Sequence, residues 1–371
     1  MVDLYVRNGR SVTGTPLEVT ITAGKITAVG TKLDDVTAKR TLDVHGAYVS
    51  AGWIDDHVHC YEKLTLYYDD PDLDGVASGV TTVIDAGSTG ADNIGDFYDR
   101  TRANKTNVYA MINISKTGIL AQDELGDMGR VQWDPFQQAI AQYPDFIVGI
   151  KARESHSVVV DNGVKPLAKA KEFQQRLDRH LPIMVHVGAN PPELEAILAL
   201  MTAGDVLTHA YNGKPNGILT PTDTVKPFVQ VAYDRGVIFD VGHGTDSFNF
   251  HTAAVAFAAG LRPKSISTDI YHRNRENGPV YDMATTMEKL MMLGFELPAV
   301  IRMVTVAPAG NFGLTRKGQL ATGFDGDLTI FNVTAGTQPL TDSNGNQRQS
   351  TTLIQPQYAV VAGQVYEAEE K

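Results

Sequence analysis

Two histidines one residue apart, His57 and His59, close the stretch Gly52-Trp-Ile-Asp-Asp-His-Val-His, at the end of an apolar run from Ala47 to Ile54. On a β-strand, side chains two positions apart share a face and lie roughly 6.5–7 Å apart along the chain. That separation suits two ligands of one metal ion. Groups of kindred chemistry end other short apolar runs: Lys151 after Phe146-Ile-Val-Gly-Ile, His186 after Ile183-Met-Val, His209 after Val206-Leu-Thr, and Asp269 after Ser265-Ile-Ser-Thr. His243, flanked by Gly242 and Gly244, follows another such run. Imidazoles and a carboxylate in this number suit zinc or a similar divalent ion, and they exceed what one four-coordinate site with an open position needs. Two ions are therefore expected. Lys151 is the odd member, because beside cations and out of water its ammonium is disfavoured. The neutral amine can add carbon dioxide to give a carbamate (N6-carboxylysine), whose two oxygens can bridge two metals.

These groups need elements that all end at one rim. Candidate strands run over Tyr48–Asp55, Val80–Asp85, Val108–Ile114, Phe146–Lys151, Ile183–Val187, Val206–His209, Val237–Val241 and Ser265–Asp269. Between them lie segments of helical period, such as Pro166–His180, Pro192–Thr202, Thr222–Arg235 and Phe248–Ala259. Alternation of this kind implies an α/β fold with a parallel sheet. Eight repeats imply closure into a (β/α)8 TIM barrel, whose active site lies at the C-terminal ends of its strands. The chain ends differ, with short strands and turns at Leu17–Ile21, Lys25–Val29, Thr41–Val44, Asp327–Val333 and Tyr358–Val361. Neither end is long enough for a core of its own. The expected organisation is a small composite β-sandwich from 1–50 and 318–371, with the barrel, 51–317, inserted between its halves. Residues 367–371 are expected to fray.

At 371 residues, 43% of them hydrophobic, the chain can bury a large core, and a net charge of -11 argues against nucleic acid as a partner. The single cysteine, Cys60, excludes an intramolecular disulfide framework. The N-terminus lacks the layout of a signal peptide, and no apolar run approaches a membrane span. A cytoplasmic enzyme is expected, compatible with a homo-oligomer and with no membrane partner.

Taken together, Gly52-Trp-Ile-Asp-Asp-His-Val-His, Lys151, His186, His209 and Asp269 resemble the binuclear amidohydrolase superfamily. The run Gly318-Gln-Leu-Ala-Thr-Gly-Phe-Asp-Gly-Asp-Leu-Thr-Ile resembles the superfamily's re-entry into the terminal β-sandwich. Within it, Ser50-Ala-Gly-Trp-Ile-Asp-Asp-His-Val-His-Cys, Asn113-Ile-Ser-Lys, Ser267-Thr-Asp-Ile-Tyr and Asn274-Arg-Glu-Asn-Gly-Pro-Val-Tyr look like a bacterial deacetylase branch, often labelled dihydroorotase-like or adenine-deaminase-like. The resemblance implies that His57, His59 and Asp269 hold one zinc ion and His186 and His209 a second, with carbamylated Lys151 bridging. It further implies a bridging hydroxide as the attacking group, with Asp269 passing its proton to the leaving group. The implied substrate is a small carboxylate-bearing molecule, an α-acyloxy or N-acyl acid such as acetyl-(R)-mandelate.

Around this set, Asp55 shares the strand face of His57 and is expected to support the ligands. Asp56 faces the other way and is expected in solvent or at a cap, and Cys60 in packing. His45, His156, His180, His251 and His272 show no partner pattern. Candidate substrate contacts are His243, Arg153 two residues past Lys151, and Arg273, Arg275 and Tyr281 in the loop after the last barrel strand. The nearest competing activity is cyclic-amide hydrolysis of the dihydroorotase or hydantoinase kind. Dihydroorotases generally carry an arginine two residues past the second histidine, where this chain has Tyr61. Purine deaminases generally need a His-x-x-Glu arrangement, whereas His186 is followed by Val-Gly-Ala and His209 by Ala-Tyr-Asn. A non-catalytic barrel serving as an assembly partner is the alternative from another class. Such relatives lose metal ligands, and all six are present here.

Overall fold

The computed structural model describes residues 1–369; Glu370 and Lys371, the last of the segment expected to fray, lie outside them. The strands are β1 (Val2–Arg10), β2 (Pro16–Thr22), β3 (Lys25–Gly30), β4 (Ala38–Asp43), β5 (Tyr48–Ala51), β6 (Trp53–Val58), β7 (Val80–Ala86) and β8 (Asn107–Asn113). They continue as β9 (Ile147–Glu154), β10 (Ile183–Val187), β11 (Val206–Thr208), β12 (Ile238–Phe239), β13 (Leu328–Thr341), β14 (Gln347–Val361) and β15 (Gln364–Glu367). Residues just past β15 are held rather than frayed. The amide of Ala368 donates to Gln357 O at 2.9 Å and that of Glu369 to Ala77 O at 2.8 Å.

Strands β6 to β12 form one curled parallel sheet of seven strands in sequence order. Sequence neighbours on these strands point to opposite faces, as the two-residue pleat requires. Ile84, Met184, Val206 and Ile238 join Phe312 and Leu314 in one cluster. Their neighbours Val83, Val185, Leu207 and Phe239 join the helix residues Phe97, Phe173, Ile197 and Val229 in another. The sheet is thus apolar on both faces, as a parallel sheet covered by helices must be.

Two strand expectations are corrected. The run Tyr48–Asp55 is not one strand: β5 belongs to the terminal sheet and β6 to the parallel one, with Gly52 alone between them. An unbroken apolar pattern hides this switch, because both halves are buried. The segment expected as the eighth strand, Ser265–Asp269, is not a strand but a line of single bridges. Ser265 pairs with Asp240, and Ile270 with Val58. Val241 N donates to Ser265 O at 3.4 Å and Asp269 N to His57 O at 2.7 Å, so the segment bonds to both edge strands. Asp269 itself has φ of 51°, a left-handed conformation that interrupts an extended ladder.

The expected helices are present but shorter, at Lys165–Arg176, Leu194–Leu200, Pro227–Asp234 and Phe250–Ala258. Proline stands in the first turn of the Lys165–Arg176 and Pro227–Asp234 helices, where its missing N–H is of no consequence. The third starts late because Thr220 N is bonded to Thr224 O at 2.8 Å in a turn. Among the described residues no helix is long and apolar enough to cross a membrane.

The remaining strands form one eight-stranded sheet in the order β15-β14-β13-β5-β1-β2-β3, with β4 also on β1. Hydrogen bonds therefore join both termini into a single sheet that forks at β1, not into two separate sheets facing each other. Its apolar side chains, among them Leu4, Val6, Val19, Ile21, Val49, Leu328, Ile330 and Val360, form their own core. The β13–β14 hairpin outruns that core. Further along it, Leu340 and Ile354 pack into the main cluster instead. There Glu288, on the helix Met283–Met292, accepts Ile354 N at 2.6 Å and also binds the Gln338 side chain.

Candidate active site

His57 is the penultimate residue of β6, and His59 follows the strand; the amide of His59 donates to Ile270 O at 2.9 Å. Their Nε2 atoms each lie 3.2 Å from Asp269 Oδ1. One ligand atom from each of these three residues falls within 4.8 Å of the others, the arrangement one metal ion needs. Lys151, on β9, brings Nζ to 3.1 Å from His57 Nε2 and 3.3 Å from Met184 Sδ. His209, just past β11, has Nε2 3.9 Å from Asp269 Oδ2. The His186 ring, on β10, meets that of His209 edge-on at 4.5 Å. All six predicted ligands are thus brought together from β6, β9, β10, the end of β11 and the Ser265–Ile270 segment.

Hydrogen bonds behind the imidazoles decide which nitrogen carries the proton. Asp240 accepts from Thr208 Oγ1 at 2.9 Å, from Ser265 Oγ at 2.9 Å and from Ser267 Oγ at 2.6 Å. Thr208 spends its only proton on that carboxylate, so its oxygen can only accept from His57 Nδ1, 2.9 Å away. His209 Nδ1 lies 2.6 Å from Gly242 O, and a carbonyl can only accept. Both rings therefore carry hydrogen on Nδ1 and present a bare lone pair at Nε2. His59 Nδ1 is engaged by Ser88 Oγ at 2.8 Å. His209 Nε2 is buried and meets no hydrogen-bond partner among the described residues. An orphaned lone pair, and two acceptors facing each other at His57 Nε2 and Asp269 Oδ1, are what a cation resolves, so the residues fit a divalent metal.

Burial sets the charge states in the same direction. It holds His57 and His186 well below the usual imidazole range and brings His209 to about 4, so these rings are neutral at physiological pH. Burial also lowers the Lys151 ammonium to about 7, despite the opposing pull of Asp269. A substantial fraction of this lysine is then the free amine that carbamate formation requires.

The other predicted contacts divide. Arg153 is buried, with Nη1 3.1 Å from both carboxylate oxygens of Glu124 and its guanidinium 5.5 Å from the Tyr67 ring. Tyr67 in turn packs on His59 at 5.7 Å and on Tyr271 at 5.1 Å, so Arg153 borders the ligand cluster. His243 is fully buried with Nε2 2.8 Å from Lys289 Nζ and Nδ1 2.9 Å from Gly244 O, a packed residue and not an open contact. Arg273 is exposed. Arg275 pairs with Asp69 at 2.8 Å and, with Tyr281, lines a cavity of about 730 Å³ against β14; none of the six predicted ligands lines it. Asp56, expected in solvent or at a cap, is buried, neither oxygen meets a hydrogen-bond partner among the described residues, and burial raises its carboxyl well above the usual range. The parallel sheet is covered on both faces, so the face opposite His57 is no more open to solvent than its own, and β6 is irregular between Asp55 and Val58. Asp55 accepts the amides of His57 and Thr268 at 3.2 and 3.1 Å, tying the first ligand strand to the last. Thr208, Asp240 and Ser88 were not anticipated. The one available signal was an aspartate inside an apolar run, as in Phe239-Asp240-Val241.

A family model described as a deacetylase-like composite domain matches residues 320–367, the segment that carries β13 to β15. The chain is 56% identical over 367 residues to a deacetylase of Enterococcus faecalis, covering 98% of this chain and 99% of the relative. It is 34% identical to a deacetylase of Agrobacterium fabrum, covering 93% of this chain and 85% of that one. A solved structure of an adenine deaminase superposes with a TM-score of 0.97 at 55% identity, covering 99% of this chain and 100% of the other. With a matching sheet, a matching terminal module and relatives at this identity along its whole length, the chain belongs to the deacetylase branch of the amidohydrolase superfamily, hydrolases of ester and amide bonds.

Proposed function

We propose that the protein removes an acetyl group from a small acid bearing an α-acyloxy or N-acyl substituent, with acetyl-(R)-mandelate as the type substrate. His57, His59 and Asp269 would hold one ion and His186 and His209 the other, with Lys151, as its carbamate, as a further ligand; zinc suits this donor set. When bound, two such ions acidify a water and polarise the acyl carbonyl. The observation that carries this reading is the outward engagement of Nδ1 on His57 and His209, which leaves their Nε2 lone pairs aimed inward. Asp269, with Oδ1 turned toward the Nε2 atoms of His57 and His59 at 3.2 Å each, has Oδ2 available to take the proton of the attacking water and return it to the leaving alcohol or amine. Tyr67 and Tyr271 wall the site beside Arg153, whose guanidinium supports a substrate carboxylate nearby. In the same reading, the bridges from Ser265 and Ile270 close the parallel sheet as a (β/α)8 barrel over 51–317, with 1–50 and 318–371 as the composite module.

Cyclic amides are disfavoured because Tyr61 is buried, with its hydroxyl on Asp96 at 2.8 Å, and offers nothing to a substrate carboxylate. A deaminase is disfavoured by the lack of a glutamate three residues past either histidine. A cytoplasmic location fits the single, buried Cys60. The test combines metal analysis with a panel of acetylated α-hydroxy acids, N-acetyl amino acids of both hands, and cyclic amides. About two zinc ions per chain and activity abolished by chelation are expected, with the acetylated acids preferred. Asp269→Asn is expected to lower turnover by about a hundredfold or more. Preference for cyclic amides, or near-normal turnover in Asp269→Asn, contradicts the proposal.

A further inference from the structure

The tip of the β13–β14 hairpin, Asp342-Ser-Asn-Gly-Asn346, lies far along the chain from every predicted ligand, yet it is bonded into the loops that border them. Its residues divide the work. Asp342 builds the turn: Oδ1 accepts the amides of Asn344 and Asn346, each at 2.9 Å. Ser343 makes no side-chain bond within the turn. Its hydroxyl donates, bifurcated, to His243 O at 3.2 Å and Gly244 O at 3.0 Å, and accepts from Phe248 N at 3.1 Å. Its amide donates to Phe248 O at 2.9 Å. Asn344 Oδ1 receives Asn249 Nδ2 at 2.9 Å.

What Ser343 grips is the backbone that lies against Asp269. Gly244 N donates to Thr268 O at 2.9 Å and His243 N to Ser267 O at 3.2 Å, immediately before Asp269. Gly244 has φ of 55°, and a methyl group built on it would stand 2.4 Å from Asp269 Oδ2. The peptide that Ser343 holds is therefore in contact with the carboxylate oxygen assigned to proton transfer. Next in the chain, Thr245 Oγ1 meets the hydroxyl of Tyr271 at 3.2 Å, and Tyr271 packs on Tyr67.

We propose that Ser343 is a positioning residue of the hydrolytic site: through Gly244 it fixes the orientation of the Asp269 carboxylate, so that the terminal module takes part in turnover. The proposal rests on the reading of Asp269 given above. Removal of the hydroxyl leaves His243 O without this donor, Gly244 O with His243 Nδ1 alone and Phe248 N without its acceptor, so the 243–245 peptides shift and Asp269 loses its backstop. Misplacement of a reacting group by a fraction of an ångström is enough to slow a step severalfold or more.

The test uses the full chain with Ser343→Ala, and Ser343→Thr as the variant that keeps the hydroxyl. Three quantities are read: kcat and KM on the acetyl ester best hydrolysed by the wild type, the melting temperature, and the visible d–d spectrum of the cobalt(II)-loaded protein. Ser343→Ala is expected to lower kcat about tenfold with KM and melting temperature unchanged and a shifted cobalt spectrum, and Ser343→Thr to restore all of them. Wild-type kcat in Ser343→Ala overturns the proposal, as does a fall of kcat that tracks a fall in melting temperature. If the wild type hydrolyses none of the esters, the deacetylase reading fails by itself. The cobalt spectrum then still decides on Ser343, an unshifted band refuting it.

Discussion

Thr208 never touches the reacting centre in this reading, yet it determines what His57 can do there. Thr208→Val keeps the shape of the side chain and deletes the hydroxyl, so His57 Nδ1–H loses its acceptor and Asp240 one of its three donors. The imidazole is then free to rotate or change tautomer. Metal affinity is expected to fall about 10- to 100-fold, measured by chelator competition, with the fold intact. Unaltered affinity would show that the ring is fixed by packing alone. The six clustered residues were legible because each stands where an apolar run ends. Their supports were not. Thr208 and Asp240 serve His57 only because β11 and the Ser265 segment lie where they do, and such cross-strand neighbours leave no trace in local spacing. Asp56 illustrates the converse, since a strand covered on both faces buries whichever side alternation assigns.

Among the elements, β7 shows how strand ends make room for chemistry. Gly87 follows it with φ of 79°, and a methyl group there would stand 2.5 Å from Lys151 Cβ. Gly87→Ala is expected to lose about 2–4 kcal/mol in urea unfolding and to load less metal, because relief of the clash displaces the Lys151 stem. Loss of neither would mean that β9 can yield without cost. The strands of the parallel sheet, the helices between them and the return to the terminal sheet could be read from apolar period and turn residues. The junction at Gly52 could not, because burial is continuous across it. The run Ser265–Asp269 reads as a strand, since its pattern does not reveal the left-handed turn at Asp269. Nothing in Asp342-Ser-Asn-Gly-Asn346 distinguishes it from an ordinary hairpin turn, so its contact with the Gly244 peptide is visible only in three dimensions.

For the chain as a unit, the parallel sheet does not own all of its core. Phe331, Leu340 and Ile354, from the β13–β14 hairpin, belong to the same apolar cluster as the helices around that sheet. A fragment comprising residues 52–317 would expose those contacts and lose β5 as well. It is expected to aggregate or to melt without a cooperative transition, as judged by calorimetry and light scattering. A monodisperse fragment with a sharp transition would show that the inserted piece is autonomous. The link at Gly52 carries a mechanical corollary. With a single residue joining β5 to β6, and β13 paired to β5 directly beyond it, there is no slack for a hinge. Thr329 clasps the joint from both sides, its hydroxyl accepting Trp53 N at 3.1 Å and donating to Gly79 O at 2.8 Å, so a strain entering one sheet passes directly into the other.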